Sequence, residues 1–161
     1  MKLGVMSDSH DNLTLVHKVI ALFNKEKVDM VVHAGDFVAP FTVKVLKELK
    51  CPFQGVLGNN DGETAGLYQA SDGNITKAPL KLTLGGRRIV VLHYPDLVEK
   101  FLKSRKFDVI IHGHTHQPIL KKEEGVLILN PGESGGWTTG KSSVARVDLE
   151  KLTARLVWLK K

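Results

Sequence analysis

Val31-Val32-His33-Ala34-Gly35-Asp36 is the stretch on which the fold of this chain turns. Two β-branched residues run into a glycine and then a single aspartate, with a helix pattern opening at Pro40 just behind them. A buried strand here would deliver one carboxylate to the carboxyl edge of a sheet, where open α/β proteins place their ligands. Gly35 has no Cβ, so the backbone can turn sharply and approach a bound group closely.

Outward in both directions the pattern repeats. Lys2 to Ser7 reads as a strand ending in Asp8-Ser9-His10-Asp11-Asn12. Leu13 to Lys25 places Leu15, Val16, Val19, Ile20, Leu22 and Phe23 at helical spacing, with Asn12 or Asp11 as N-cap. Pro40 opens a second helix, where its missing N–H costs nothing, and Val43, Val45, Leu46 and Leu49 form the buried face. Phe53 to Leu57 is a third strand, ending in Gly58-Asn59-Asn60-Asp61-Gly62. Strand, helix, strand, helix, strand predicts a parallel sheet built from crossovers.

The second half changes character. Leu80 to Leu84, Gly85-Gly86 and Arg88 to His93 read as a hairpin with a glycine turn, and Leu97 to Lys106 as a helix. Val109 to His112 is a buried strand before Gly113-His114-Thr115-His116. Leu120 to Lys122, Val126 to Leu129, Ser143 to Asp148 and Thr153 to Leu159 are expected as strands of antiparallel, alternating type. The fold class this predicts is α/β: a two-sheet β-sandwich flanked by helices, in one domain over 1–161.

Composition sets the limits. A chain of 161 residues buries about 70% of its unfolded surface. Its apolar runs are too short to span a bilayer, and no secretory core precedes Ser7-Asp8, so cytoplasmic residence without a membrane partner is expected. One cysteine, Cys51, rules out an internal disulfide and a thiolate metal cluster, and reads as a small buried hydrophobe. The net charge of +6 comes from scattered basic residues, Lys44, Lys47 and Lys50 on one helical face and Lys100, Lys103, Arg105 and Lys106 at the end of a later helix among them, and reads as a solvated surface rather than a nucleic-acid footprint.

Five strand ends thus carry Asp8-Ser9-His10, Gly35-Asp36, Gly58-Asn59-Asn60-Asp61, His93 and Gly113-His114-Thr115-His116. Residues i and i+2 of an extended chain point the same way, so Asp8 and His10 can converge on one site, as can His114 and His116. Oxygen and imidazole donors without thiolates suit manganese, iron, zinc or nickel rather than calcium.

This order of motifs resembles the calcineurin-like metallophosphoesterase superfamily: D-x-H, G-D, G-N-x-D, a lone His, then G-H-x-H. The compact length, Ser7 to Asn12 and Asn130-Pro131-Gly132 resemble its small YfcE-type phosphodiesterases. The resemblance implies two divalent cations, manganese first. Asp8, His10 and His116 would hold one, Asn59, His93 and His114 the other, and Asp36 would bridge them. Cations roughly 3.5–4 Å apart need a shared anion to offset their repulsion. Two carboxylates against four positive charges leave a net positive site, which attracts a phosphate ester and brings bound water toward a pKa of ~7. Hydrolysis of a small phosphodiester by in-line attack of a metal-bridging hydroxide is the implied reaction. The alternative is a protein-binding scaffold retaining the metal site, as in the small subunit of retromer.

Two positions depart from the superfamily. Asn60 stands where many members carry a histidine thought to protonate the leaving group, and Tyr94 follows His93 where relatives usually have glycine. Tyr94 would narrow the pocket over the second cation. Of the rest, His17 is expected at the surface, and His33 and His112 as hydrogen-bonded core residues. Asp11 and Asn12 are read first as helix caps, though either could touch a substrate phosphate. Asp61 either orients the Asn59 loop or is an ordinary turn residue. Trp137 and the Gly132 to Gly140 loop either shape the entrance or pack against a second subunit of a homo-oligomer, and Trp158 is expected in the core.

Overall fold

The computed structural model describes residues 1–159, so positions 160 and 161 of the expected domain lie outside the described residues. In chain order the elements are β1 (Lys2–Met6), α1 (Leu13–Glu26), β2 (Met30–His33), α2 (Pro40–Leu46), β3 (Phe53–Val56), α3 (Thr64–Ala70) and β4 (Ile75–Thr76). There follow β5 (Leu80–Leu84), β6 (Arg87–Val91), α4 (Val98–Ser104), β7 (Val109–Ile111), β8 (Ile119–Glu123), β9 (Val126–Asn130), β10 (Ser142–Asp148) and β11 (Thr153–Leu159). A six-stranded sheet runs β11-β10-β1-β2-β3-β4 and a five-stranded sheet β5-β6-β7-β9-β8. In the first, β1 to β4 are parallel; in the second, β6, β7 and β9 are.

Three apolar layers explain the stacking. Leu3 and Val5, Val32 and Val56 meet Ile89, Val91, Val109, Ile111, Leu127 and Leu129 between the sheets. The opposite faces of β1 to β4, through Met6, Val31, Phe53 and Ile75, pack on Val16, Val19, Ile20 and Phe23 of α1, Val43 and Leu46 of α2, and Leu67 of α3. Val90, Ile110, Val126 and Ile128 carry Leu102 of α4 on the outer side of the second sheet. Each such side chain, fully buried, contributes roughly 1.5–3 kcal/mol relative to exposure. The result is the expected helix, sheet, sheet, helix order.

Two expectations fail. β9 does not alternate and is antiparallel on one side only: it is buried throughout, pairs antiparallel with β8 and parallel with β7, Val109 opposite Leu127. Lying between β7 and β8, it has both faces covered, and such strands read as continuous apolar runs. Trp158 is not core but 53% exposed. Its alternation with Leu156 holds, and Leu156 packs against the inter-sheet core. One pair further along this edge strand, Trp158 faces a groove shared with Gln117, Pro118 and Lys141 instead of closed packing.

The sequence reading also passed over α3 and β4. Leu67 is the only buried residue of α3, so no apolar period marks it. At the surface, Lys47 pairs with Asp72 and Lys103 with Glu99, as a solvated basic surface would. Cys51 is half-buried against the α-helical layer, and burial raises its thiol above the usual range. No helix among the described residues is long and apolar enough to cross a membrane.

Candidate metal centre

The seven proposed ligands all leave the carboxyl ends of parallel strands: β1, β2 and β3 in one sheet, β6 and β7 in the other. Backbone hydrogen bonds stitch the loops together. Asp8 N–H donates to Gly35 O at 2.9 Å, His10 N–H to Asp36 O at 3.1 Å, and Gly113 N–H to His93 O at 3.0 Å. Between the sheets, His93 Nδ1 lies 2.8 Å from Ala34 O, and His114 N–H reaches Asp8 Oδ2 at 3.2 Å.

The residues do not converge as an extended chain would. Asp8 (φ 51°), His10 (43°), Asp36 (62°), His114 (68°) and His116 (57°) all adopt the left-handed region. That region costs an L-residue about 1–2 kcal/mol each, and such outliers persist where surrounding contacts over-determine them. Strand alternation is therefore the wrong reason for Asp8 and His10 meeting, and it fails for the second pair. His114 and His116 face different clusters.

In the first cluster the metal-ligating atoms of Asp8, His10, Asp36 and His116 lie within 4.8 Å of one another. His10 Nε2 is 3.6 Å from Asp36 Oδ2, His116 Nε2 is 3.5 Å from Asp8 Oδ1, and the two Nε2 atoms are 3.4 Å apart. In the second, Asn59 Oδ1 lies 2.9 Å from both His93 Nε2 and His114 Nδ1. His93 Nε2 is also 3.5 Å from Asp36 Oδ1. The two oxygens of one buried carboxylate thus face separate clusters.

The donor chemistry fits cations. His93 Nδ1 can only donate to the Ala34 carbonyl, and burial holds this imidazole below its usual pKa. The neutral ring then presents a lone pair from Nε2 toward Asp36 and Asn59, acceptor against acceptor. Burial pushes the Asp8 carboxyl up to about 7, and the nearby charge of Asp36 pushes the same way. A cation between these groups would satisfy the lone pairs and favour both ionised carboxylates. Two glycines permit the close approach. A Cβ on Gly58 would stand 2.2 Å from Asp36 Oδ1, and one on Gly113 2.8 Å from Asp8 Oδ2.

Sequence reasoning missed Glu133. This carboxylate is fully buried and accepts hydrogen bonds from the backbone N–H groups of Trp137, Thr138 and Thr139. Burial pushes its pKa up, but the Thr139 and Thr138 hydrogen bonds and the charge of His116 outweigh that and hold it low. Its Oε2 stands 3.2 Å from His116 Nδ1, an ion-pair distance without hydrogen-bond alignment. It therefore favours a proton on Nδ1, which leaves Nε2 free for the first cluster. The only signal was a lone acid within a glycine-rich loop, which an entrance loop explained equally well. Glu133→Gln is expected to weaken metal binding ~10–100-fold, measured by calorimetric titration of the stripped protein. Wild-type affinity in that variant would remove Glu133 from the site.

The remaining candidates sort themselves by contact. Asp61 is 4% exposed and accepts from the N–H groups of Asp36 (3.0 Å), Val38 (2.7 Å) and Gly58 (2.7 Å), clamping the β2 and β3 loops together. Asn60 aims at Asp36: its N–H reaches Oδ1 and its Nδ2 reaches Oδ2, each at 2.8 Å. Asn12 is the cap of α1 and accepts from Leu15 N–H. Asp11 is not a cap; its Oδ1 accepts from the Thr42 hydroxyl at 2.7 Å, tying the β1 loop to α2.

His17 is exposed beside Glu48, while His33 is buried, stacked on Phe37 and 2.9 Å from the Ser9 hydroxyl. His112 is buried too, 3.2 Å from Gly113 O. Tyr94 packs against the rings of His93 and His114, at 5.1 and 4.7 Å between centroids. Trp137 is 65% exposed, and its indole N–H donates to His10 O at 3.2 Å.

Residues 1–152 match the family model described as the calcineurin-like phosphoesterase superfamily domain. The phosphodiesterase MJ0936 of Methanocaldococcus jannaschii is 35% identical over 165 aligned positions, covering 99% of this chain and 99% of that protein. A solved structure of an archaeal phosphodiesterase superposes with a TM-score of 0.92 at 35% identity, covering 99% of this chain and 100% of its own. YfcE, a phosphoesterase from E. coli, superposes at 0.68 with 22% identity over 99% of this chain and 100% of its own, a likeness of fold alone.

Proposed function

This chain belongs to the calcineurin-like phosphoesterase superfamily, and on that premise we propose that it is a metal-dependent phosphodiesterase with a two-cation centre. Asp8, His10 and His116 would hold one cation, Asn59, His93 and His114 the other, with Asp36 between them. The observation that carries this reading is Asp36, 1% exposed, with one oxygen toward His10 and the other toward His93. A relative named a phosphodiesterase, 35% identical along its whole length, supports the diester as substrate. The clusters draw on both sheets, so the chain acts as one domain.

When bound, the two cations supply positive charge for the phosphate and lower the pKa of water toward ~7. The chain's own residues set the rest. Asp61 and Asn60 hold the Asp36 loop and carboxylate in place, and the Ala34 carbonyl fixes the orientation of His93. Manganese is the first ion to try, with iron, nickel or zinc next, because the donors are oxygens and imidazoles without thiolate.

Asn60 also bears on which ester is cleaved. Its side chain is engaged with Asp36 and has no proton to give at neutral pH. A leaving group needing protonation would lose ~10²–10⁴ in rate without a general acid. Manganese-loaded protein is therefore expected to turn over bis-p-nitrophenyl phosphate and to be ~10²-fold or more slower on an alkyl monoester. Equal turnover of the two would refute the selectivity. No hydrolysis of the diester, joined to tight binding of a protein partner, would replace the enzyme with the scaffold reading.

A further inference from the structure

A second feature adjoins the centre on the side of His93. A groove of about 270 Å³ is lined by Leu57, Leu92, Tyr94 and Leu97, with Lys77 and Ala78 beside them and His93 as one wall. The same imidazole that forms this wall carries Nε2 into the second cluster, 2.9 Å from Asn59 Oδ1. Groove and second cluster thus share the His93 ring as a common wall.

Its chemistry is specific. Tyr94 is 44% exposed and Leu97 42% exposed, although Tyr94 is braced edge-on against His93 and tilted against His114. A braced ring loses little freedom when another ring packs on it. Drug-sized ligands fill ~300–1,000 Å³, so this groove suits one ring system rather than a whole ligand. The groove at the other cluster, about 380 Å³ beside His116, is lined by Gln117, Thr139, Lys141 and Trp158 and is more polar. A diester centred between the clusters has two arms to place, and the two grooves differ in what they accept.

We infer that the His93–Tyr94 groove receives a flat aromatic arm of the diester, with Tyr94 as the residue that selects it. The inference rests on the phosphodiesterase reading and adds a substrate class to it. Phosphonates test it without turnover, since phenylphosphonate and methylphosphonate share a head group and differ only in the arm.

Calorimetric titration of manganese-loaded protein, with metal content measured for each variant, is expected to give phenylphosphonate ~tenfold tighter binding than methylphosphonate. Tyr94→Ala should lose ~tenfold for the phenyl compound and under about twofold for the methyl one. Tyr94→Phe, keeping the ring, should restore phenylphosphonate affinity to within about threefold, and Leu97→Ser should lose about threefold for the phenyl compound alone. Equal losses for both phosphonates in Tyr94→Ala, or none, would overturn the groove assignment. So would a Tyr94→Phe variant as defective as Tyr94→Ala, which would point to the hydroxyl. Hydrolysis of bis-p-nitrophenyl phosphate without any phenyl preference defeats the groove alone. Absence of both hydrolysis and phosphonate binding defeats the phosphodiesterase reading beneath it.

Discussion

Asp36→Ala is expected to reduce diester hydrolysis by at least ~10³-fold and to leave at most one cation per chain. Bridging charge stabilisation of this kind is worth several kcal/mol, and each 1.36 kcal/mol is about tenfold in rate. The loss should not be one of folding. The Asp36 backbone keeps its hydrogen bond to Asp61, and losing the carboxylate frees the two Asn60 donors but relieves the repulsion that helps push the Asp8 carboxyl up to about 7. Asp36→Asn keeps the shape and an oxygen but lacks the charge, and the same two losses are expected. Elemental analysis of metal content alongside kcat decides the matter. Wild-type turnover in either variant, with metal quantified, would end the two-cation proposal.

Metal removal should carry a comparable effect on stability. A cation that binds only the folded chain contributes ~4 kcal/mol at a thousand times its Kd. A domain of this size shifts by ~2–4 °C in Tm per kcal/mol, so chelation should lower Tm by ~10 °C or more when both positions empty. The sign follows from the site. Stripped of cations, the two carboxylates and the ring nitrogens of His93, His10 and His116 crowd one another across gaps of 3.4 to 3.6 Å. Scanning fluorimetry with and without EDTA, then with manganese restored, measures the shift. Asp36→Ala should lose most of the difference between the two conditions. An unchanged Tm in stripped wild-type protein would count against a cation site at this edge.

Much of this was legible in the chain. Apolar runs closed by Asp, His or Asn marked β1, β2, β3, β6 and β7, because a strand buried on both faces leaves its chemistry only at its end. The pattern also named every residue of the two clusters. It misjudged how they converge. Spacing of i and i+2 suggested extended backbone, whereas Asp8, His10, His114 and His116 take left-handed turns, the first three held by cross-loop hydrogen bonds. Short-range pattern carries no trace of a conformation that distant partners impose.

The sequence by itself determined which atoms could bind a cation and that parallel strands would present them at one edge, since residue type and hydrophobic period are local properties. Tertiary structure alone decided that the ligand loops turn through left-handed backbone, that β9 runs parallel to β7 inside its sheet, and that Trp158 stands at the surface. It alone brought Glu133 from a loop near the C-terminus to within 3.2 Å of His116. Those outcomes depend on how two sheets lie against each other, which is set by the summed packing of the whole core and by no single segment.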